Sequence, residues 1–374
     1  MTAAGRWGAL ALLSAGLIVG LWMLWSDPLE QAAEADVGVA TAEDDHRLEG
    51  LGAPVGFGEL TTGGDGGPTR WVDTLEDEGP GSLRAALARP GPAWVRFQPG
   101  LEGLITLTEP MVVPSDITID GRGARITIDN YGFIVAAARN VIITHLRFDF
   151  AEHFDDYKGN AAVLVTDGGR DVWIHQNSFV GAGPDKYNQA LLFIDGASGI
   201  TASWNRFVEW DRTILTAQDQ FNEQLSGDRI TLHHNFFDRT HQRNPLMRFS
   251  RVHSFNNYLF QFGHPGSGVG MVADSGAQLV SDHDIFESDL GLYAIKAGDW
   301  FSTAEPGLVR VQGTRFIGVA PELAESRRPD SVFDPATYYD YRVDEPDDEL
   351  RQRLIDGTGW QPSKPPVGSG AADG

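Results

Sequence analysis

VWIHQNSF (172–179), ITASWNRF (200–207) and ITLHHNFF (230–237) decide the fold of this chain. Each segment opens on a β-branched residue, carries asparagine in the sixth place and ends on phenylalanine. Related segments end at Phe148, Phe260, Phe286 and Phe316, so the final phenylalanines of the series lie 31, 28, 30, 23, 26 and 30 residues apart. That period matches one coil of a solenoid per repeat. A second β-rich segment lies between most pairs, as in AAVLVTD from Ala161, QALLFIDG from Gln189 and RTILTAQ from Arg212. Each coil therefore holds at least two strands and a polar turn. Asn177, Asn205, Asn235 and Asn257, then Asp284, recur near one place in the repeat. Asparagine tolerates the left-handed backbone of a tight bend, and stacked amides can hydrogen-bond from coil to coil. The reading is an all-β, right-handed parallel β-helix.

Composition agrees and narrows the function. The 374 residues include 20 Phe, 10 Trp and 8 Tyr to place in a core, and no cysteine. Disulfides, thiolate metal sites and cysteine nucleophiles are excluded. A net charge of -23 argues against general nucleic-acid binding, which needs a basic surface. Residues 7–25 (WGALALLSAGLIVGLWMLW) form an uncharged run long enough to span roughly 30 Å of hydrocarbon. With Arg6 before it and Asp27 and Glu30 after it, the run reads as a transmembrane signal anchor, or a signal peptide, that exports the remainder of the chain. The expected organisation is this segment over 1–25, an acidic linker over 26–50, the β-helix over 51–320, and an acidic, partly disordered tail over 321–374. Expected partners are the membrane, through the N-terminal helix, and an acidic polysaccharide. No nucleic acid is expected, and the chain is read as a monomer outside the cytoplasm, membrane-anchored or secreted.

The body resembles the pectate lyase and pectin lyase superfamily of polysaccharide lyases. The resemblance rests on GFGELTTGGDGGP (56–68), GPGSLRAAL (79–87), TIDGRGARITI (118–128), ITASWNR (200–206), LHHNFFD (232–238), RNPLMR (243–248) and VHSFNNY (252–258), in family order. It implies a pectate-lyase-like solenoid that cleaves a uronic-acid polysaccharide by β-elimination. A base takes the C5 proton, and a cationic group stabilises the charge growing on the carboxyl group. By the same resemblance, Arg243 is the catalytic base, Arg248 grips a neighbouring carboxylate, and Arg212 stands where the family carries a substrate-contacting lysine. His175 is a candidate substrate contact. Pectate lyases use calcium held by acids, yet the matching positions here read Lys158, Asn160, Gln189 and Phe193. A hard divalent ion wants carboxylate oxygens. No metal ligand set is therefore assigned, and Lys158 becomes a candidate substrate-binding charge in place of calcium; the alternative is that calcium binds through the nearby Asp155, Asp156 and Asp185. The competing reading is a catalytically inactive β-helix that binds acidic polysaccharide at the cell envelope.

Overall fold

The computed structural model describes residues 51–151, 161–183, 189–298 and 305–360, all within the unit Asp44–Gly374. The N-terminal apolar run and Lys158 lie outside the described residues, among which no helix is long and apolar enough to cross a membrane.

Three parallel sheets wind into a right-handed β-helix of about 8 turns. Sheet A has ten strands, from Thr69–Val72 to Leu308–Gln312; sheet B has nine, from Glu102–Thr106 to Arg315–Ile317; sheet C has eight, from Met111–Val112 to Ile295–Ala297. Neighbours in each sheet come from successive coils. Three strands per coil exceed the two legible in the sequence because each repeating segment is itself bent. Arg170–His175 belongs to sheet A and Ser178–Gly183 to sheet B, with the corner at Gln176 and Asn177.

The bend is built differently from the expectation. The left-handed residue is the one before the column position, which Leu146, Asn177, Asn205, Asn235, Asn257 and Asp284 occupy: His145, Gln176, Trp204, His234, Asn256 and His283 have φ between 52° and 56°. The asparagines supply the column instead. The Asn177 backbone N–H donates to Asn205 Oδ1 at 2.9 Å, Asn205 to Asn235 at 3.0 Å, Asn235 to Asn257 at 2.9 Å, and Asn257 to Asp284 at 2.8 Å. Each asparagine Nδ2 also donates to a carbonyl one coil back, such as Asn205 to Ile174 O. All five side chains are fully buried, so an unpaired one would cost about 1–3 kcal/mol.

Beside this column the core stacks Phe148, Phe179, Phe207 and Phe237 at centroid spacings of 4.8–5.1 Å. The next member is Leu259, paired with Phe237 and with Phe286; Phe260, which closes the repeat in the sequence reading, is one residue out of register.

Two flanking segments cover sheets A and B. The glycine-rich stretch from Gly56 runs across sheet A, where the Phe57, Gly58 and Gly64 amides donate to the hydroxyls of Thr231, Thr201 and Thr118, each at 3.0 Å. Residues 321–360, read from composition as part of a loose tail, instead lie against the solenoid. Tyr339 bonds Thr231 and His253, and the helix Asp348–Gly357 sets Leu350 and Leu354 on Phe236, Tyr258 and Ile285 of sheet B. Its amphipathic pattern supplies that apolar face.

Candidate active site

Arg212 opens the sheet C strand Arg212–Leu215, and Arg243 precedes the next one, Leu246–Arg248. Arg212 bridges Gln242 in parallel, and the Ile214 amide donates to the Arg243 carbonyl at 2.7 Å. Adjacent coils thus bring the two arginines to the same end of neighbouring strands, both partly exposed. Arg243 is held in the left-handed region at φ 58°.

Arg248 is on the same sheet but only 7% exposed. Its Nε lies 3.4 Å from Asp274 Oδ2, and its Nη1 donates to the Ala217 carbonyl at 3.2 Å. The carboxylate nearest to it is the protein's own Asp274.

The register of sheet C also revises the metal positions. Alternation places Val163, Leu191, Ile214 and Met247 in the central core. Leu164, Leu192, Leu215, Leu246 and Val272 pair in sequence across five strands as an aliphatic ladder on the other face. Phe193 is fully buried in the central core, so it does not face that surface at all. Gln189 is buried in register between Ala161 and Arg212. Lys158 and Asn160 lie outside the described residues. Among the described residues no group of three or more His, Asp or Glu side chains suits a metal ion. The described donors do not fit calcium, which wants several hard oxygens.

His175 is on sheet A, a different sheet from the arginines. It lines a cavity of about 720 Å³ with Trp173, Ser203, His233, Phe255 and Tyr341. Burial, then the charges of His145 and Arg122, push its imidazole down to about 3.

One pair beside the arginines is invisible in any family motif. Asp211, 3% exposed, lies 2.5 Å through Oδ1 from His241 Nδ1, while its Oδ2 is 3.7 Å from Arg212 Nε. Burial pushes the Asp211 carboxyl up, but the hydrogen bond and charge of His241, with Gln242 and Arg212, hold it below its ordinary value. The only signal for the pair in the sequence was its separation of 30 residues, one coil.

The chain is 30% identical over 266 residues to a probable pectate lyase of Solanum lycopersicum, covering 66% of this chain and 64% of the relative. It is 29% identical over 340 residues to the pectate trisaccharide-lyase of Thermotoga sp. (strain RQ2), covering 82% and 88%. The chain spans 50–64% of the length of the first curated relatives that it matches. Among solved structures, a pectate lyase from Bacillus sp. N165 in complex with trigalacturonate shares the fold at TM-score 0.64 and 23% identity, over 82% of this chain and 98% of that one. A pectate lyase from Acidovorax avenae subsp. citrulli superposes at 0.63 with 15% identity, over 88% and 100%. The pectate lyase family model matches residues 106–297, more than half of the sequence and including Arg212, Arg243 and Arg248, and the chain belongs to the pectate lyase family.

Proposed function

We propose that this protein is a polysaccharide lyase that cleaves a galacturonate-type uronan by β-elimination, with Arg243 as the base. The observation that carries the reading is the placement of Arg212 and Arg243 on adjacent coils at one end of sheet C, in a chain of this family. Arg243, as the neutral guanidine, takes the C5 proton, the C–H electrons form the C4–C5 double bond, and O4 leaves with the glycosidic pair and takes a proton from water, whose hydroxide the Arg243 guanidinium neutralises. Arg212 holds the carboxyl group of the reacting or adjacent sugar, since a guanidinium matches a planar carboxylate. The names of the Thermotoga relative and of the Bacillus complex support a galacturonate chain as substrate.

Elimination here proceeds without calcium, a reading supported by the aliphatic ladder and by Gln189 and Phe193 standing where the family carries acids. Lys158 stays in the proposal as the replacement charge. A place outside the cytoplasm rests on the apolar run over 7–25.

The test measures ultraviolet absorbance of unsaturated products from polygalacturonate and methyl-esterified pectin, with calcium and with chelator. Wild type is expected to turn over in chelator, and Arg243→Ala to lose about 10²–10⁴-fold, the range for a positioned proton acceptor. Undiminished turnover in Arg243→Ala removes the base, and no product from wild type on either polymer leaves polysaccharide binding as the surviving function.

A further inference from the structure

At the corner where sheet B gives way to sheet C, three successive coils bring Asp211, His241 and Ser267 into one chain of hydrogen bonds. Asp211 Oδ1 meets His241 Nδ1 at 2.5 Å, and His241 Nε2 meets Ser267 Oγ at 3.3 Å. Asp211 and His241 are 3% and 6% exposed, whereas Ser267 is open to solvent. An ionised carboxylate only accepts hydrogen bonds, so it fixes the proton on Nδ1 and leaves the Nε2 lone pair aimed at the serine hydroxyl.

The loop carrying Ser267 is fastened around this imidazole. His264 N–H donates to Ser267 O at 2.9 Å, and Ser267 N–H returns a bond to His264 O at 3.0 Å. The His264 ring packs 4.1 Å from the His241 ring at 30°. Gly268 has φ +105°, and a Cβ there would stand 2.6 Å from His241 O and 2.7 Å from His241 Cδ2. Only glycine lets the loop lie so close. The Gly268 amide donates to no acceptor among the described residues, and it comes directly after the serine, where an oxyanion donor belongs.

We propose that Asp211, His241 and Ser267 form a second catalytic centre, a hydrolase of small carboxylic esters. Ser267 Oγ attacks the ester carbonyl carbon while its proton passes to His241 Nε2. The tetrahedral intermediate expels the alcohol, which takes that proton, and leaves an acyl-serine. Water then attacks the acyl carbon, giving a proton to Nε2, and the Ser267 oxygen departs with it. The balance is ester plus water to acid plus alcohol. Asp211 orients the ring and stabilises the imidazolium.

Arg243 lies two residues beyond His241, so the esters within reach are those on the bound polymer: a methyl ester of the uronate or an acetyl ester on a sugar hydroxyl. This assignment of substrate rests on the lyase reading; the catalytic trio does not. Methyl-ester removal would also uncover the carboxylate that Arg212 is read to hold.

The full chain is assayed with p-nitrophenyl acetate, with methyl-esterified polygalacturonate for methanol and with acetylated pectin for acetate, and is treated with a fluorophosphonate probe. Wild type is expected to hydrolyse esters and to carry the probe on the Ser267 peptide. Ser267→Ala should lose the probe and about 10³-fold or more of ester hydrolysis, with His241→Gln similarly slow and Asp211→Asn about 10⁴-fold down. Elimination by Ser267→Ala should stay within twofold of wild type. Equal ester hydrolysis in wild type and Ser267→Ala, or no probe on Ser267, overturns the proposal. Ser267-dependent hydrolysis without elimination in any protein overturns the lyase reading alone, and elimination without Ser267-dependent hydrolysis overturns this one alone.

Discussion

Asp284 ends the asparagine column with a carboxylate where the other rungs carry amides. Burial raises its pKa to about 6, against the pull of hydrogen bonds from Ser281, Asn257 and Ser254. A folded-state value above that of the unfolded chain gives a contribution that is complete below about 4 and lost as pH rises through about 6. Asparagine at this place keeps the acceptor for Asn257 and removes the buried charge. Asp284→Asn is therefore expected to be more stable than wild type at pH 8, by about 1–2 kcal/mol, with the advantage vanishing toward pH 4. Urea unfolding at the two pH values checks this, and a less stable variant at pH 8 contradicts it. Residue chemistry also explains why the site was only partly legible in the sequence. The motifs named Arg212 and Arg243, which lie at one end of adjacent sheet C strands, but the Asp274 partner of Arg248 lies 26 residues away in a segment without a motif.

At the scale of elements, the strap from Gly56 works because its backbone lies directly on the threonines of sheet A. A Cβ on Gly56 would fall 2.5 Å from Thr231 Cβ, and one on Gly64 would fall 1.9 Å from the Ala93 carbonyl. Gly64 meets backbone, which cannot rotate aside. Gly64→Ala is expected to cost about 2–4 kcal/mol, more than typical surface substitutions, and to appear as a lower midpoint in thermal unfolding. A midpoint within a degree of wild type would show that the strap is dispensable. The glycine-rich stretch was readable as a family feature, but its partners were not, because Thr118, Thr201 and Thr231 belong to coils up to 174 residues away. The repeat gave the sheets and the asparagine column. It did not show that each segment bends from sheet A into sheet B, because periodicity counts residues and not corners. For the same reason Phe193 read as a surface position, although strand alternation buries it.

For the whole molecule, the outer face of sheet A and its corner into sheet B are a store of uncharged histidine. Burial, their first cause, holds His145 at about 4, His175 at about 3, and His233, His234 and His253 below their ordinary value. His233 and His234 meet through their Nδ1 atoms at 3.0 Å, so the two cannot both be protonated there. Depressed values mean that the unfolded chain binds protons that the folded chain refuses. Stability is whole above about pH 6.5 and is lost as pH falls toward 4, by up to about 1.4 kcal/mol per unit for each histidine. Asp284 runs the other way and cancels about one of them. Unfolding free energy measured between pH 7 and 4.5 should fall steeply, and His175→Gln should flatten the fall; a level profile over that window would contradict the account.

The lengthwise strap has a mechanical result. A stack of rings held only by its neighbours frays from either end, one ring at a time. Here a single covalent thread is laced through hydroxyls on rings from Thr118 to Thr231, and the rings within that span cannot part until the lacing is undone. The assembly behaves as a bolted column rather than a spring, and whatever groove lies along its open side keeps a fixed spacing between rungs.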